Sequence, residues 1–551
     1  MTSGFNLLDD PWVAVRKSDG TVDELSLRDT FRRAGDYEGL AGEIPTQAAA
    51  ILRLLEAILM RATATRRSED DALRQWGSWW QAQELPLPEI DAYLDRYMGR
   101  FALLGSETPF MQVADLHTEK GRTSGLVKLI AEVPPGSKFF TTRDGEGIKS
   151  LSLAEAARWL IHVHAFDISG IKSGAVGDDR VKGGKGYPIG TGLTGNMGLV
   201  IAEGTSLLQT LLLNLVLRTN PRADRPVWER EPQNAGADWD HPSPTGPADL
   251  FTWQSRRVRL IEHDRRVDDV LLCNGDKVEW ASLLGNDPMT GWRFSKPQTA
   301  KAGHNIYMPR AHQTGRAIWR GLEPLLTRSP GDKEWIRPEV LVWLAKARQT
   351  GLLASNQMIR IRTVGMEYGP QSAVVTSVID DALPASIAVL GEDALATLAV
   401  AAAQTAQDVA ICLANLASDL ARAGGTAPDA DRAYAWETAF AAIDPVYRAW
   451  FARLTSSTDH DDATRAWQEA LTRTIRREGL QLCRDAGTTA ESGRMVPVPN
   501  SEREDLMDTA EAWRRFTRRL AKATPAASNT MPRDQPTTPG SDPADDPKEG
   551  S

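Results

Sequence analysis

Apolar and polar residues alternate with two different periods along the first half of the chain. The alternation over 12–27 (WVAVRKSDGTVDELSL) predicts two short strands joined by a turn at Ser18-Asp19-Gly20. Leucine and isoleucine recur at helical spacing over 45–62, which predicts a helix there. The same spacing predicts further helix over 73–105, 151–164 and 205–218.

The middle of the chain is less regular and contains one clear hairpin. Pro-Pro-Gly and Asp-Gly predict a loop over 131–147, and the residues over 219–250 form a connection rich in proline and aspartate. Short strands and loops are predicted over 251–310. Over 358–379, apolar residues alternate with Arg360 and Arg362, and the turn ends at Gln371, which predicts a β-hairpin with basic side chains on one face.

The pattern changes after Pro384. Four long helical segments separated by glycine and serine breaks predict an antiparallel four-helix bundle, near 387–423, 430–455, 462–486 and 502–522. Proline, serine and aspartate dominate the final residues, which predicts disorder. The fold class is therefore α+β, with a mixed α/β domain over 1–380, the four-helix bundle over 384–523 and a disordered acidic tail over 524–551.

Composition narrows the class of protein. With 551 residues the chain is too long for a single core, and its three cysteines lie far apart, which excludes a disulfide framework and predicts a reducing, cytoplasmic setting. The N-terminus has no basic region followed by an apolar run, so no signal peptide is predicted. Polar residues interrupt the apolar stretches 207–217 and 387–403, so no membrane span is predicted.

Charge is distributed unevenly. The net charge of −9 argues against a protein coated in nucleic acid, but two segments carry only positive charge. We define the first basic run as the acid-free segment between Asp287 and Glu323, and the second as the one between Glu339 and Glu367. The first contains Arg293, Lys296, Lys301, Arg310, Arg316 and Arg320, and the second contains Lys346, Arg348, Arg360 and Arg362. A polyanion site and two solvated surfaces are equally compatible with these runs.

Candidate chemistry centres on glycine. Residues 190–195 (GTGLTG) match the dinucleotide-binding pattern G-x-G-x-x-G, but no apolar strand precedes them and no helix start follows. Gly183-Gly184-Lys185 is followed by Gly186 rather than Ser or Thr, so it is not a phosphate-binding Walker motif. Glycine with interleaved lysine between Gly170 and Gly198 suits close backbone contact with a phosphate or a groove.

Catalytic motifs are scarce. His162 and His164 form the one close histidine pair, and we expect them to be half-buried or surface residues rather than metal ligands. No nucleophile elbow G-x-S-x-G occurs in the sequence. These observations favour a binding protein over an enzyme. A nucleotide-dependent enzyme built on 190–195 and a structural scaffold remain as alternatives, and a strand ending at Ile189 with a helix starting near Gly192 would favour the enzyme.

Short motifs resemble, in order, those of one known family. They comprise FNLLDDPWVAV (5–15), TPFMQV (108–113), the glycine-rich region before LLLNLV (211–216), LFTWQ (250–254), TGWRFSK (290–296) and the hairpin ending at Gln371. The chain thereby resembles the large subunit of the type I-E CRISPR Cascade complex, the CasA family, over about 5–520. The resemblance implies a non-enzymatic protein without cofactor or metal. Its implied partners are the other Cascade subunits, guide RNA, double-stranded target DNA and the CRISPR helicase-nuclease.

The resemblance also implies where DNA is read. The family recognises a short motif beside the target, the PAM, largely through the minor groove, and opens the duplex there to start an R-loop. The glycine loop falls on Gly183, Gly184, Lys185 and Gly186, the minor-groove lysine on Lys296, and the wedge glutamine on Gln371. The loop at 131–147 matches in position a family loop that touches the guide RNA or the PAM region.

This sequence departs from the family at three places. Gly369 and Pro370 stand where the family has two asparagines before the glutamine, so any contact of those side chains is lost and proline stiffens the turn. Lys185 lies inside the glycine loop, and Cys273 alone remains of a cysteine cluster, so no zinc is predicted. The minor-groove code is degenerate, so we expect a tolerant set of PAM sequences.

Overall fold

A computed structural model describes residues 4–131, 148–219, 223–236, 243–328, 334–497 and 503–528. Helices and strands are both abundant, which confirms the predicted α+β class. The helices are α1 (Leu27–Arg32), α2 (Pro45–Ala62), α3 (Glu69–Ala82), α4 (Leu87–Arg96), α5 (Leu153–Phe166), α6 (Leu207–Asn214), α7 (Pro247–Phe251), α8 (Lys296–Ala302), α9 (Glu323–Leu326), α10 (Glu339–Gln349), α11 (Ala388–Gly391), α12 (Asp393–Gly424), α13 (Pro428–Phe451), α14 (His460–Asp485), α15 (Gly487–Ser492), α16 (Thr509–Ala523) and α17 (Pro525–Ser528).

Fifteen strands form five small sheets among the described residues. Their orders are β2-β1-β3, β5-β4-β8-β7, β10-β9-β11, β13-β12-β6 and β14-β15. The strands are β1 (Val13–Arg16), β2 (Val22–Leu25), β3 (Gly39–Leu40), β4 (Lys172–Ser173), β5 (Lys185–Gly186), β6 (Leu199–Glu203), β7 (Arg256–His263), β8 (Arg266–Asn274), β9 (Trp292–Phe294), β10 (Tyr307–Pro309), β11 (Trp335–Ile336), β12 (Met358–Tyr368), β13 (Val375–Ser386), β14 (Arg494–Pro497) and β15 (Glu504–Met507).

The predicted N-terminal elements are present. β1 and β2 pair antiparallel on either side of the expected turn, and α2 has the predicted bounds. Pro45 occupies the first turn of α2, where its missing N–H costs nothing. Nearly every side chain of α2 is buried, because the helix packs against α4, α5 and α7. This helix is therefore a central core element of the N-terminal part.

The two close histidines lie deeper than predicted. His162 and His164 are 1% and 2% exposed, so the expectation of half-buried or surface positions is wrong. They lie on α5, a helix whose side chains are buried on almost every side. His162 Nε2 hydrogen-bonds Thr46 Oγ1 at 3.0 Å, and His164 Nε2 donates to the carbonyl oxygen of Met111 at 2.9 Å. Burial lowers the pKa of His162 to about 3 and that of His164 to about 4.

The predicted hairpin is the longest antiparallel pair of the N-terminal part. β12 and β13 are in register from Met358↔Ser386 to Glu367↔Ser377, and β6 pairs with the other edge of β12. The first strand continues to Tyr368, inside the turn predicted over 367–371, and the return strand begins at Val375, beyond the end of that turn. The tip is therefore carried by two long, well-paired strands.

The chain divides into two compact units. The first comprises Met1–Ala403 and Arg448–Thr458, and the second comprises Gln404–Tyr447 and Asp459–Ser551. The C-terminal part contains the long helices α12, α13, α14 and α16, and their arrangement as an antiparallel bundle stays a prediction. The predicted helix at 502–522 begins only at Thr509, because β14 and β15 form a hairpin before it.

The first residues of the predicted tail are packed against the second unit. Residues 525–528 form the short helix α17, and Thr524 Oγ1 accepts a hydrogen bond from Thr472 Oγ1 at 3.0 Å. The amide of Ala526 donates to Gln468 Oε1 at 2.8 Å, which fastens α17 to α14 within the second unit. The disorder predicted for 524–528 is therefore wrong. The remainder of the tail, 529–551, lies outside the described residues.

One of the described helices is long and apolar enough to cross a membrane. Within the described residues this is α12, which has 32 residues, and half of its most apolar window is buried within the protein. A buried core helix can be equally long and apolar. Residues such as Leu395, Val409 and Leu413 are fully buried, which gives α12 the packed side of a core helix.

Candidate nucleic-acid interface

The predicted glycine loop is a tight hairpin turn. Lys182 and Lys185 exchange two backbone hydrogen bonds, of 3.1 and 3.2 Å, across Gly183 and Gly184. The two glycines have φ angles of +57° and +71°, which match a type I′ turn. A Cβ atom added at either glycine would meet no atom within 4 Å, so the turn ends in open space. The first unit thus presents a narrow backbone tip without side chains.

The turn is fixed at its base. Lys185 and Gly186 form β5, the edge strand of the four-stranded sheet, and pair with Ser173 and Lys172 of β4. The amide of Gly174 donates to the carbonyl oxygen of Gly184 at 3.0 Å. Lys185 is exposed, whereas Gly186 is buried against Asn274, where a Cβ would lie 3.0 Å from the amide nitrogen Nδ2. Gly186 therefore supports the turn, and the exposed tip consists of Gly183, Gly184 and Lys185.

Lys296 lies on a different sheet. It is the first residue of α8, separated from the end of β9 by one residue, and its side chain is exposed. No described hydrogen bond or ion pair engages its ammonium group, so the charge is available to a ligand. Ser295, the residue before it, is buried and donates its backbone N–H to Ile306 at 2.9 Å, which fixes the start of the helix. No described hydrogen bond or ion pair joins Lys296 to the glycine turn.

Gln371 lies at the tip of the β12–β13 hairpin, as predicted. Its φ is +57° and that of Ser372 is +54°, in a region that non-glycine residues rarely adopt. Backbone bonds hold this conformation, because Ser372 donates to the Gly369 carbonyl at 2.9 Å and Gly369 donates to Val374 at 2.9 Å. Pro370 begins the short helical turn between them. The Gln371 side chain is exposed and has no partner among the described residues.

One backbone segment contacts both predicted turns. We call residues 166–173, which follow α5 and enter β4, the anchor segment. The Ser169 amide donates to the Ser372 carbonyl at 2.8 Å, and the Tyr368 hydroxyl donates to the Phe166 carbonyl at 2.7 Å, so this segment holds the hairpin tip. Its last residues form β4, which pairs with the base of the glycine turn. The structure therefore connects two of the three predicted positions through eight consecutive residues.

The second basic run is neutralised by carboxylates from distant parts of the chain. Arg362 donates to Glu203 at 2.8 Å and to Asp380 at 2.6 Å, and Arg360 lies 3.7 Å from Glu203. Lys346 pairs with Glu69, and Arg348 pairs with Glu392. This run is therefore a set of ion pairs rather than a free positive surface.

The first basic run contributes to a carboxylate-free cleft of about 320 Å³. Arg293, Arg310 and Arg316 line it together with His312, and no Asp or Glu of the described residues does so. None of these arginines forms an ion pair with a described carboxylate. Burial, with a contribution from Arg316, lowers the pKa of Arg310 and outweighs the opposing effect of Glu323. The cleft therefore suits an anionic ligand.

Comparison with known proteins decides the family. The model of the family described as CRISPR-associated protein Cse1 matches residues 6–477. The chain belongs to the Cse1 family. This is the CasA family, the large subunit of type I-E Cascade, as the sequence motifs predicted.

Three relatives show how far the similarity extends. The Cse1 crystal structure from Thermobifida fusca is 40% identical, with a TM-score of 0.86 over 95% of this chain and 99% of that one. Cse1 from Acidimicrobium ferrooxidans is 29% identical, with a TM-score of 0.81 over 96% and 100%. The CasA/Cse1 protein of Thermus thermophilus is 32% identical over 336 residues, which span 59% of this chain and 61% of that protein.

In this Cse1-family chain two of the three G-x-G-x-x-G glycines, Gly192 and Gly195, have a packing role. No strand ends at Ile189, and the residues after Gly192 form a four-residue 3-10 helix, Leu193–Asn196, so the elements expected for a dinucleotide site are missing from this described region. A Cβ at Gly192 would lie 2.6 Å from the Ala165 carbonyl carbon. A Cβ at Gly195 would lie 2.5 Å from the Tyr368 hydroxyl oxygen. These glycines let the chain pass close to the end of α5 and to the hairpin.

Sequence reasoning missed the buried charges beneath the two turns. Asp167, Lys172 and Arg256 are 7%, 9% and 0% exposed and form one ion cluster. Lys172 Nζ lies 2.6 Å from Asp167 Oδ2, and Arg256 Nε donates to the same oxygen. No local motif marks this cluster, because 89 residues separate Asp167 from Arg256. Most of the loop predicted at 131–147 lies outside the described residues.

Proposed function

We propose that this chain is the non-catalytic large subunit of an RNA-guided type I-E Cascade complex. It recognises the PAM in double-stranded DNA through the minor groove, wedges the duplex open for R-loop formation and helps recruit the helicase-nuclease in antiviral defence. It acts in the cytoplasm with the other Cascade subunits and guide RNA. A chain with this fold forms part of a structure described as a CRISPR RNA-guided surveillance complex, which supports the proposed assembly.

The observation that carries the proposal is the glycine turn. The minor groove is about 6 Å wide, so an element that enters it must be narrow. Gly183 and Gly184 form a turn that has no side chains and ends in open space. Lys185, the exposed residue after the two glycines, adds a positive charge that can contact the phosphates along the groove. A backbone tip of this shape reads few features of a base pair, which fits a tolerant PAM.

Lys296 supports the proposed recognition of the PAM through the minor groove. A lysine ammonium can donate to the N3 and O2 acceptors on the minor-groove floor. The side chain is exposed and no described carboxylate neutralises it. The carboxylate-free cleft of the first basic run also begins at β9, through Arg293. Lysine and arginine near a duplex add phosphate contacts that fix its register.

Gln371 supports the wedge. A side chain inserted at a base step costs a few kcal/mol of unstacking, which contacts with the opened DNA offset. Backbone bonds of Gly369 and Ser372 hold the hairpin tip, so the Gln371 backbone is presented in a defined conformation. A left-handed backbone conformation is unfavourable for glutamine, and the surrounding hydrogen bonds stabilise it.

PAM reading is tested by replacing Lys296 with alanine. We expect weaker binding of the assembled complex to a PAM-bearing duplex and nearly unchanged binding to a target that is already open. Lys301→Ala is the matched control, because Lys301 is an exposed lysine of the same helix, α8. Equal losses on both substrates, or equal effects of the two variants, would reduce Lys296 to a general electrostatic contributor.

The wedge is tested with a glycine pair. Gln371→Gly and Ser372→Gly both relieve a left-handed backbone at adjacent positions, so their effects on folding should be similar. We expect Gln371→Gly alone to slow R-loop opening, measured by the fluorescence of a base analogue beside the PAM, while initial docking changes little. The wedge assignment fails if the two variants open DNA at the same rate.

A further inference from the structure

The buried ion cluster of Asp167, Lys172 and Arg256 lies where the two DNA-facing turns meet the body of the first unit. Asp167 belongs to the anchor segment, at the end of α5, and its carboxylate is shared by the two cations. The segment carries bonds to the hairpin tip on one side and pairs with the glycine turn on the other. The geometry therefore allows one carboxylate to determine the position of both turns.

Arg256 extends the cluster to the neighbouring backbone. Its Nη2 donates to the carbonyl oxygens of Ile168 at 3.1 Å and Gly190 at 2.9 Å, and its Nη1 donates to Ser255 at 2.8 Å. The guanidinium thus joins the anchor segment to the start of the glycine-rich residues after the turn. Gly192 adds a direct link, because its amide donates to the Asp167 carbonyl at 2.7 Å.

Lys172 extends the cluster to the glycine turn. It is a residue of β4, and its register partner in β5 is Gly186, which directly follows the exposed tip. Because its ammonium is bound by the Asp167 carboxylate at 2.6 Å, that carboxylate is linked directly to β4. The next residue pair, Ser173 and Lys185, leads directly into the turn.

Charge balance makes the carboxylate indispensable to this arrangement. Two buried cations share one anion, so removing the anion leaves two like charges in a site from which water is largely excluded. Burial alone would raise the pKa of Asp167, but the charges of Lys172 and Arg256 outweigh it and hold that pKa below its usual value. Asp167 therefore stays ionised at neutral pH.

We propose that Asp167 is a positioning residue that sets the glycine turn and the Gln371 tip relative to each other, so that PAM reading and strand separation act on one register of the duplex. The inference rests on the proposed function for its DNA consequence. Its structural part, that one carboxylate controls the mobility of both turns, stands without DNA.

The structural part is tested by hydrogen–deuterium exchange on the full chain. Asp167→Asn should speed exchange about tenfold or more at the amides of Lys185 and Ser372, which equals ~1.4 kcal/mol of lost local protection. Glu229→Gln is the matched control. Glu229 is an equally buried carboxylate, which accepts from Arg61 at 2.8 Å and contacts neither turn in the described structure. If the two variants loosen the turns equally, or Asp167→Asn loosens only one, the inference is overturned.

The functional part is tested on the assembled complex. Asp167→Asn should weaken binding to a PAM-bearing duplex about tenfold and slow opening, while binding to a pre-opened target changes less than about twofold. Tyr368→Phe is a milder variant, because it removes only the hydroxyl bond to Phe166 and keeps the ring, so it tests the hairpin link if Asp167→Asn folds poorly. It should slow opening more than docking, and unchanged opening would contradict the link.

The two levels of failure can be told apart. If the wild-type complex shows no preference for a PAM-bearing duplex, the proposed function fails, but the exchange experiment still decides whether Asp167 controls the turns. If the wild-type complex prefers the PAM and Asp167→Asn binds like Glu229→Gln, the positioning role fails while the proposed function stands.

Discussion

Replacing Gly183 with asparagine separates the folding role of the glycine turn from its proposed role in DNA. Position 183 is the first central residue of a type I′ turn, and Asn-Gly is the most favoured pair for such turns. A new Cβ there meets no atom within 4 Å. We therefore expect Gly183→Asn to change the free energy of unfolding by no more than about 0.5 kcal/mol. Gly183→Ala should cost about 1 to 2 kcal/mol, because alanine is strained at positive φ.

Binding should follow the opposite order. Asparagine is larger than alanine and fills more of a groove only about 6 Å wide. We expect Gly183→Asn to weaken binding of the assembled complex to a PAM-bearing duplex by about tenfold or more, equal to ~1.4 kcal/mol, and Gly183→Ala to weaken it less. The assay is fluorescence anisotropy with labelled duplex, beside thermal unfolding of the same preparations.

The control is Gly20→Asn. Gly20 also has a positive φ, of +83°, and open space around it, but it lies in the β1–β2 turn. This variant should bind the duplex like the wild type. The reasoning is refuted if Gly183→Asn binds as tightly as the wild type, or if the loss of affinity follows the loss of stability rather than the size of the side chain.

Three further changes test the core. Gly192→Ala should destabilise the fold by about 1 to 3 kcal/mol, because its Cβ would meet backbone atoms at 2.6 Å. NAD(P) or ATP should not shift the melting temperature of the wild-type protein, and such a shift would favour the nucleotide-dependent enzyme. Glu56, fully buried with neither carboxylate oxygen bonded among described residues, has a pKa raised well above its usual value by burial, so stability falls as pH rises above ~4.5. Glu56→Gln should therefore raise the melting temperature at pH 7.5 and lose that advantage near pH 4.5. His162 and His164 have depressed pKa values, so below pH ~6.5 the unfolded chain binds protons that the folded chain does not. The free energy of unfolding should therefore fall by up to ~1.4 kcal/mol per pH unit for each histidine. Urea unfolding at a series of pH values tests this, and the same dependence of that free energy on pH in His164→Gln and the wild type would contradict it.

Local features of the fold were predictable because local chemistry determines them. The strand pair around Gly20, the helix over 45–62 and the hairpin that ends at Gln371 each depend on a periodic pattern and a turn residue within a short window. The glycine turn is partly local, since adjacent glycines suit the positive φ angles of a type I′ turn, but β4 and Gly174 fix its base.

Features that depend on distant partners were not predictable. The second basic run looks like a cationic surface in the sequence, yet Glu69, Glu203, Asp380 and Glu392 neutralise it from separate elements. The cluster around Asp167 depends in the same way on strand β7, far along the chain. The left-handed conformation of Gln371 is imposed by the backbone bonds of the hairpin, because glutamine itself has no preference for it.

The open space around the glycine turn has a consequence for how such a protein changes over generations. Its backbone bonds are made by Lys182, Gly184, Lys185 and Gly174, whereas a side chain added at Gly183 or Gly184 would meet nothing in the fold. Under the proposed function, substitutions that suit a type I′ turn therefore change the surface offered to DNA without changing the bonds that hold the turn. If the turn reads the PAM as proposed, its motif preference can change by single substitutions that are nearly neutral for folding.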